Sequence, residues 1–166
     1  MWGLIKEEFE KFPAQERVAR LLMELGLSVK EGEIHCGEIS LSHTAIAKAA
    51  NTDRRTVNMT VNSIEASKKL NSIYSNLLPT CSFKEVAPIM SWGVLEILPE
   101  DVSSPGIIAR VTGIIANEDI SIRQIIADDP HIHQNPKAFI ITERPIPARL
   151  LPKIKSVEGV GGVSIY

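Results

Sequence analysis

Apolar positions in the first quarter of the chain follow a helical period. Leu4, Ile5, Phe9 and Phe12 form one short stripe, which Pro13 closes or from which it opens the next helix. Val18, Leu21, Leu22 and Leu25 repeat at i, i+3, i+4 and i+7, predicting an amphipathic helix that Gly26 terminates. Both stripes are expected in a core. The pattern loosens from Glu31 to Ser40, where Gly32 and Gly37 punctuate the chain and large apolar residues are sparse, so a loop with one short strand is expected. Ser42 is placed to cap a short helix running to Ala50, and Asp53 a longer one whose buried stripe is Val57, Val61 and Ile64. Leu70, Ile73, Tyr74 and Leu77, then Phe83, Val86 and Ile89, predict two further short helices on either side of Pro79.

The period changes at Trp92. From there the sequence reads strand (Val94 to Leu98), turn (Pro99 to Pro105), helix (Ile107 to Asn117), strand (Ser121 to Ala127) and loop (Asp128 to Pro136). A strand (Ala138 to Thr142), a helix (Pro147 to Ser156) and a last strand (Val160 to Ile165) follow. That order is βαββαβ, two split crossovers that build a four-stranded antiparallel sheet with both helices on one face. Ile107, Ile108, Val111, Ile114 and Ile115 supply the apolar face of the first helix, and Leu150, Leu151, Ile154 and Val157 that of the second. The expected fold class is therefore α+β, with an all-helical domain over residues 1–90 and a ferredoxin-like domain over 91–166.

Composition narrows the class of function. With 166 residues and 44% hydrophobic content, the chain can bury a core in one domain or two small ones. Its most apolar stretch, Gly106 to Ala116, is interrupted by Arg110 and Thr112, and no charged segment precedes an apolar one at the start, so neither a signal peptide nor a membrane span is expected. A cytoplasmic location follows as the expectation. Cys36 and Cys81 stand in no metal-ligand or redox spacing and are expected as buried thiols. The net charge of −2 runs against nucleic-acid binding, but its distribution does not. Residues 41–90 hold six Lys or Arg against three Asp or Glu, while the flanking segments are net acidic. No nucleophile elbow, phosphate loop or framed carboxylate pair is present, so an enzyme is not expected, and neither is a cofactor.

The one net-positive block contains a specific pattern. Ala47 is small enough for two helices to cross, Asn51 tolerates a left-handed turn, and Val57 anchors the following helix, with Ile46 and Ala50 completing the buried side. In that register Asp53, Arg54, Arg55, Asn58, Met59 and Asn62 face outward, and Arg, Asn and Thr side chains suit phosphates and base edges. The stretch HTAIAKAANTDRRTVNMTV resembles the helix-turn-helix motif of bacterial and archaeal transcription regulators. The resemblance implies DNA binding through Arg54, Arg55, Thr56, Asn58 and Asn62. Two positions depart from the motif: Thr52 stands at a turn position usually apolar, and Thr60 where a buried aliphatic is common. A packed helix pair with a solvated Arg-Arg face is the plainer reading of the same residues.

In the second half, Pro105 presets a turn and Gly106 lets backbone approach a ligand or a second chain. The N–H groups opening the next helix can hold a carboxylate without a basic side chain. With the strand and helix order, VLEI and SPGIIARVTGIIANEDISI resemble the ACT domain, a module that binds amino acids and pairs with itself. The resemblance spans about residues 93–166. It implies a small-molecule effector, an amino acid, held by Asp101, Ser103, Ser104, Gly106, Ile107 and Ser121, and a homodimer or higher homo-oligomer formed through this half. Ser103 and Ser121 are smaller than the polar residues usual at those positions, and an ACT-like module without a ligand is the alternative.

Asp128, Asp129, His131 and His133 cluster in one loop, where two His at i, i+2 could face an ion. Beside Pro130 and Pro136, a polar hairpin is the expected reading, and no metal is assigned. Together the two halves resemble archaeal regulators of amino-acid metabolism that join these modules. The alternative from another class is a regulatory subunit whose ACT half attaches to a biosynthetic enzyme and whose helical half is a docking surface.

Overall fold

The computed structural model describes residues 2–166, and of Leu4 the backbone alone, so the burial expected of the Leu4 side chain lies outside the described residues. The chain divides into two compact units, residues 1–81 and 82–166.

In the first unit, helices α1 (Trp2–Phe9) and α2 (Pro13–Glu24) bury Trp2, Ile5 and Phe9, then Val18, Ala19, Leu22 and Met23. Phe12 and Leu25, expected in the core, are exposed at 51% and 52%. They occupy the N-cap and C-cap of α2, where the chain leaves the helical path and the stripe ends, while Gln15 takes the buried position one turn before Val18 and Ala19.

Three short antiparallel strands follow: β1 (Ser28–Lys30), β2 (Glu33–Cys36) and β3 (Ile39–Leu41), in sheet order β1-β2-β3. This corrects the expectation of an all-helical first half and of a single strand. The turn residues make the difference. Glu31 and Gly32 both take positive φ (53° and 78°), the two-residue turn whose twist matches a hairpin, and it joins Lys30 to Glu33. Only Val29 and Ile34, directly paired, are fully buried, so no hydrophobic alternation announced the strands.

Helices α3 (His43–Ala49), α4 (Arg54–Ala66) and α5 (Lys68–Tyr74) complete the unit. Their core residues are Ile46, Ala47, Ala50, Val57, Val61, Ile64, Leu70 and Tyr74. Burial raises the Tyr74 hydroxyl pKa, and that hydroxyl donates to the Ala19 carbonyl at 2.9 Å, tying α5 to α2.

The second unit begins before Trp92. Residues 84–91, which include most of the helix expected around Phe83, Val86 and Ile89, form a run of turns rather than a regular helix. Val86 and Ile89 are 44% and 82% exposed, whereas Ala87 is fully buried and packs with Val94 and Ile141, joined by Phe83, Trp92 and Phe139. Residues 82–90, read from the sequence with the helical half, thus belong to the sheet-bearing unit. The Phe83 N–H donates to the Gln124 side-chain oxygen at 2.9 Å, fastening the segment to the sheet.

The remainder is β4 (Gly93–Pro99), α6 (Ile107–Ala116), β5 (Ile122–Ala127), β6 (Ala138–Thr142), a 3-10 turn (Ala148–Leu150), α7 (Leu151–Lys155) and β7 (Val160–Ile165). All sheet pairings are antiparallel and the order is β5-β6-β4-β7, the arrangement that two split βαβ crossovers require. Leu95, Ile97 and Ile140 pack against Ile107, Val111, Ile114, Ile115, Leu150 and Ile154 from the helices. The opposite face carries Val94 and Ile141 beneath the 82–92 segment, together with the Glu96–Lys137 ion pair at 2.8 Å. The hydrogen bond from Lys137 holds the Glu96 carboxyl below its usual range.

Candidate nucleic-acid interface and ligand cavity

Helices α3 and α4 are joined by the segment Ala50–Asp53, and each start is fixed by a side chain. Ser42 Oγ accepts from the Ala45 N–H at 3.2 Å, and Asp53 Oδ1 from the Thr56 N–H at 2.8 Å. That backbone hydrogen bond, with the Thr56 hydroxyl adding a second, lowers the Asp53 pKa. The carboxylate therefore stabilises the start of α4 at neutral pH, and the contribution fades as acid titrates it. Asn51 takes φ +49°, the left-handed conformation expected of it, which turns the chain between the helices.

With Val57, Thr60, Val61 and Ile64 buried, α4 turns Arg54, Arg55, Asn58, Met59 and Asn62 outward. Thr60 and Val61 are both buried, and the Thr60 hydroxyl donates to the Thr56 carbonyl at 2.8 Å, so the polar atom sits inside the helix without an unmet hydrogen bond. Thr56 is half-buried and committed to Asp53, which makes it a capping residue as well as a candidate contact. Asn58 is hydrogen-bonded to the His43 ring. His43 is thus a neighbour that orients one of the candidate base-reading side chains. Arg54 and Arg55 stand exposed in the first turn of α4.

The second unit contains a cavity of about 480 Å³ at the start of α6. Ser104, Gly106 and Ile107, three of the six residues expected at a ligand, line it. The other three do not. Asp101 Oδ1 accepts from the Ser103 N–H at 2.9 Å and the Ser103 hydroxyl at 2.7 Å, and these bonds hold its carboxyl below the usual range. Asp101 and Ser103 therefore close the turn on themselves. Ser121 precedes β5 and pairs with Glu143, at the end of the sheet marked by Gly93, Thr142 and Ile122, whereas the cavity lies at the end marked by Ile97, Ala138 and Ala127.

Gly106 is the N-cap of α6 at φ +85°, and no side chain caps that helix. Its conformation, not only space, calls for glycine: a Cβ there would meet the end of the Arg110 side chain at 2.9 Å. Arg110 in turn donates to the carbonyls of Pro105 and Glu158.

The rest of the wall was not read from the sequence. It comes from Val102, Ile108, Ala109, the ends of β4, β5 and β6, and from Asp128, Pro130, Pro136 and Lys137 in the β5–β6 loop. The available signal was the small residue closing β5 and the one opening β6, where the neighbouring inward positions are Leu or Ile. Asp128 and Lys137 close that loop through two backbone-directed bonds, Asp128 N–H to the Lys137 carbonyl at 2.9 Å and Lys137 N–H to Asp128 Oδ2 at 3.1 Å. His131 and His133 bend back on Asp129, and among the described residues no three His, Cys, Asp or Glu side chains gather as a metal site. Cys36 is half-buried and Cys81 exposed, unlike the buried thiols expected. Among the described residues no helix is long and apolar enough to cross a membrane.

No family model matches the sequence, and no curated protein does. Among solved structures, an AsnC family transcriptional regulator from Agrobacterium tumefaciens is similar over 92% of this chain and 86% of its own, with 10% identity and a TM-score of 0.30. The leucine response regulatory protein of Mycobacterium tuberculosis is similar over 92% and 90%, at 14% identity and a TM-score of 0.27. AsnC of E. coli is similar over 93% and 89%, at 12% identity and a TM-score of 0.24. At these TM-scores the likenesses carry no argument about what this chain does.

Proposed function

We propose that this chain is a transcriptional regulator of amino-acid metabolism, binding DNA through α3 and α4 and sensing an amino acid at an ACT-like second unit. The observation that supports the DNA reading is the combination of a left-handed Asn51 turn, an Asp53-capped α4, and Arg54, Arg55 and Asn62 exposed on the side of α4 opposite its buried stripe. Guanidinium groups in the first turn of such a helix suit phosphate contact, and amide side chains one or two turns on suit base edges. The effector reading is supported by the apolar cavity beside the uncapped start of α6. Within one chain the second unit leaves β5 and β7 as sheet edges, which pairing between copies would cover.

The test is retention of sheared genomic DNA on the immobilised intact protein, eluted by a salt gradient. A regulator retains a restricted set of fragments and releases them steeply as salt rises, because each phosphate contact displaces counterions. Retention of an enzyme from extract, with no DNA held at any salt, would overturn this reading in favour of a docking subunit.

A further inference from the structure

The cavity in the second unit exists because of one cross-strand layer. Ile97, Ala138 and Ala127 are direct register partners on β4, β6 and β5, and all three line it. In the next layer of the same face the partners are Leu95, Ile140 and Ile125. Two alanines thus stand where the adjacent layer has two isoleucines, and the volume they leave unfilled opens beneath Ile107 and Ile108. Core layers close-pack unless something else fills them.

We infer that Ala127 and Ala138 are specificity-determining residues, which reserve this space for the large apolar side chain of an amino acid. The inference rests on the effector-sensing reading and names the class of effector. Ile97, Val102, Ile107, Ala127 and Ala138 offer a side chain no hydrogen-bonding group, and the Ser104 hydroxyl in the same wall interacts with the Asp101 carboxylate, so a polar side chain seated among the five would be stranded. The charged residues of the wall, Asp128 and Lys137, both belong to the β5–β6 loop. Lys137 is paired with Glu96 at 2.8 Å on the opposite face of the sheet, so Asp128, whose Oδ2 accepts from the Lys137 N–H, is the carboxylate of the wall that an ammonium group could meet. Each CH₂ buried in such a space tightens binding about fourfold.

Calorimetric titration of the intact protein with leucine, alanine and serine tests this. Leucine is expected to bind at least about tenfold more tightly than alanine, and serine no better than alanine. Ala138→Leu should weaken leucine at least about tenfold and alanine less than about threefold. It should melt no lower than the native chain. Ala127→Leu, at the exposed end of the same layer, should act in the same direction and serves where Ala138→Leu is poorly folded. Equal affinities for leucine and alanine in the native chain, or undiminished leucine binding in a folded variant, would overturn the inference and leave effector sensing standing. Failure of all twenty amino acids to bind or stabilise the native chain would overturn the sensing reading, and this inference with it.

Discussion

Replacing Arg54 and Arg55 together by alanine is expected to weaken DNA binding about ten- to a hundredfold at moderate salt and to make its salt dependence shallower by about two. Both guanidinium groups are exposed in the first turn of α4, outside the stripe of Val57, Thr60, Val61 and Ile64 that anchors the helix. Loss of two phosphate contacts removes about 0.9 from the slope of log K against log salt for each. Folding should be spared, because surface substitutions away from caps and core change stability by about 0.5 kcal/mol or less. Fluorescence anisotropy across a salt series separates this result from a general loss of structure. An unchanged slope would show that the Arg-Arg face is only solvated. Asn62→Ala, by contrast, should change preference among sequences more than it changes the slope, and Asn58→Ala should do so only after breaking the hydrogen bond with His43.

The second large effect is expected at Gly106. A leucine there must adopt φ near +85°, which costs about 1–2 kcal/mol for a residue with a Cβ, and it must displace the Arg110 guanidinium from its carbonyl partners. The melting temperature of the second unit should fall by several degrees. Because Gly106 is also part of the cavity wall, the Gly106→Leu chain should lose its amino-acid response while keeping basal DNA affinity, which the proposal places on α4. Gly106→Asn isolates the backbone contribution, since asparagine tolerates the left-handed region better. A well-folded Gly106→Leu chain with a normal amino-acid response would exclude this cavity as the effector site. Parallel loss of stability, response and DNA affinity would mean that Gly106 serves backbone geometry alone.

Much of the second unit was legible because its strands and helices are long and densely apolar. The inward residues Leu95, Ile97 and Ile140 and the helical stripe of Ile107, Val111, Ile114 and Ile115 are each periodic over their whole element. The α3–α4 pair was legible for a different reason, since Ser42, Asn51 and Asp53 are residues whose side chains or backbone tolerance specify a cap or a turn. The three-stranded sheet was not legible. Its strands run three or four residues, and of their apolar residues only Val29 and Ile34 are fully buried, while Ile39 is 67% exposed. The 82–92 segment misled in the opposite sense. Phe83, Val86 and Ile89 stand at helical spacing, yet the segment packs on the sheet through Phe83, Ala87 and Trp92, so tertiary contact decided its form. The cavity was half visible: Gly106 and Ser104 belong to the turn that drew attention, but its far wall depends on strand register, which aligns Ala127 with Ala138 only once the sheet is paired.

The claim that α3 and α4 meet DNA is tested most directly by recording backbone amide shifts of the isotope-labelled intact chain while adding a duplex selected on the immobilised protein. The account predicts that the largest changes fall between His43 and Asn62, centred on Arg54, Arg55 and Asn58, and that they reverse at high salt. Shifts confined to residues 82–166, or none at any duplex concentration, would contradict it.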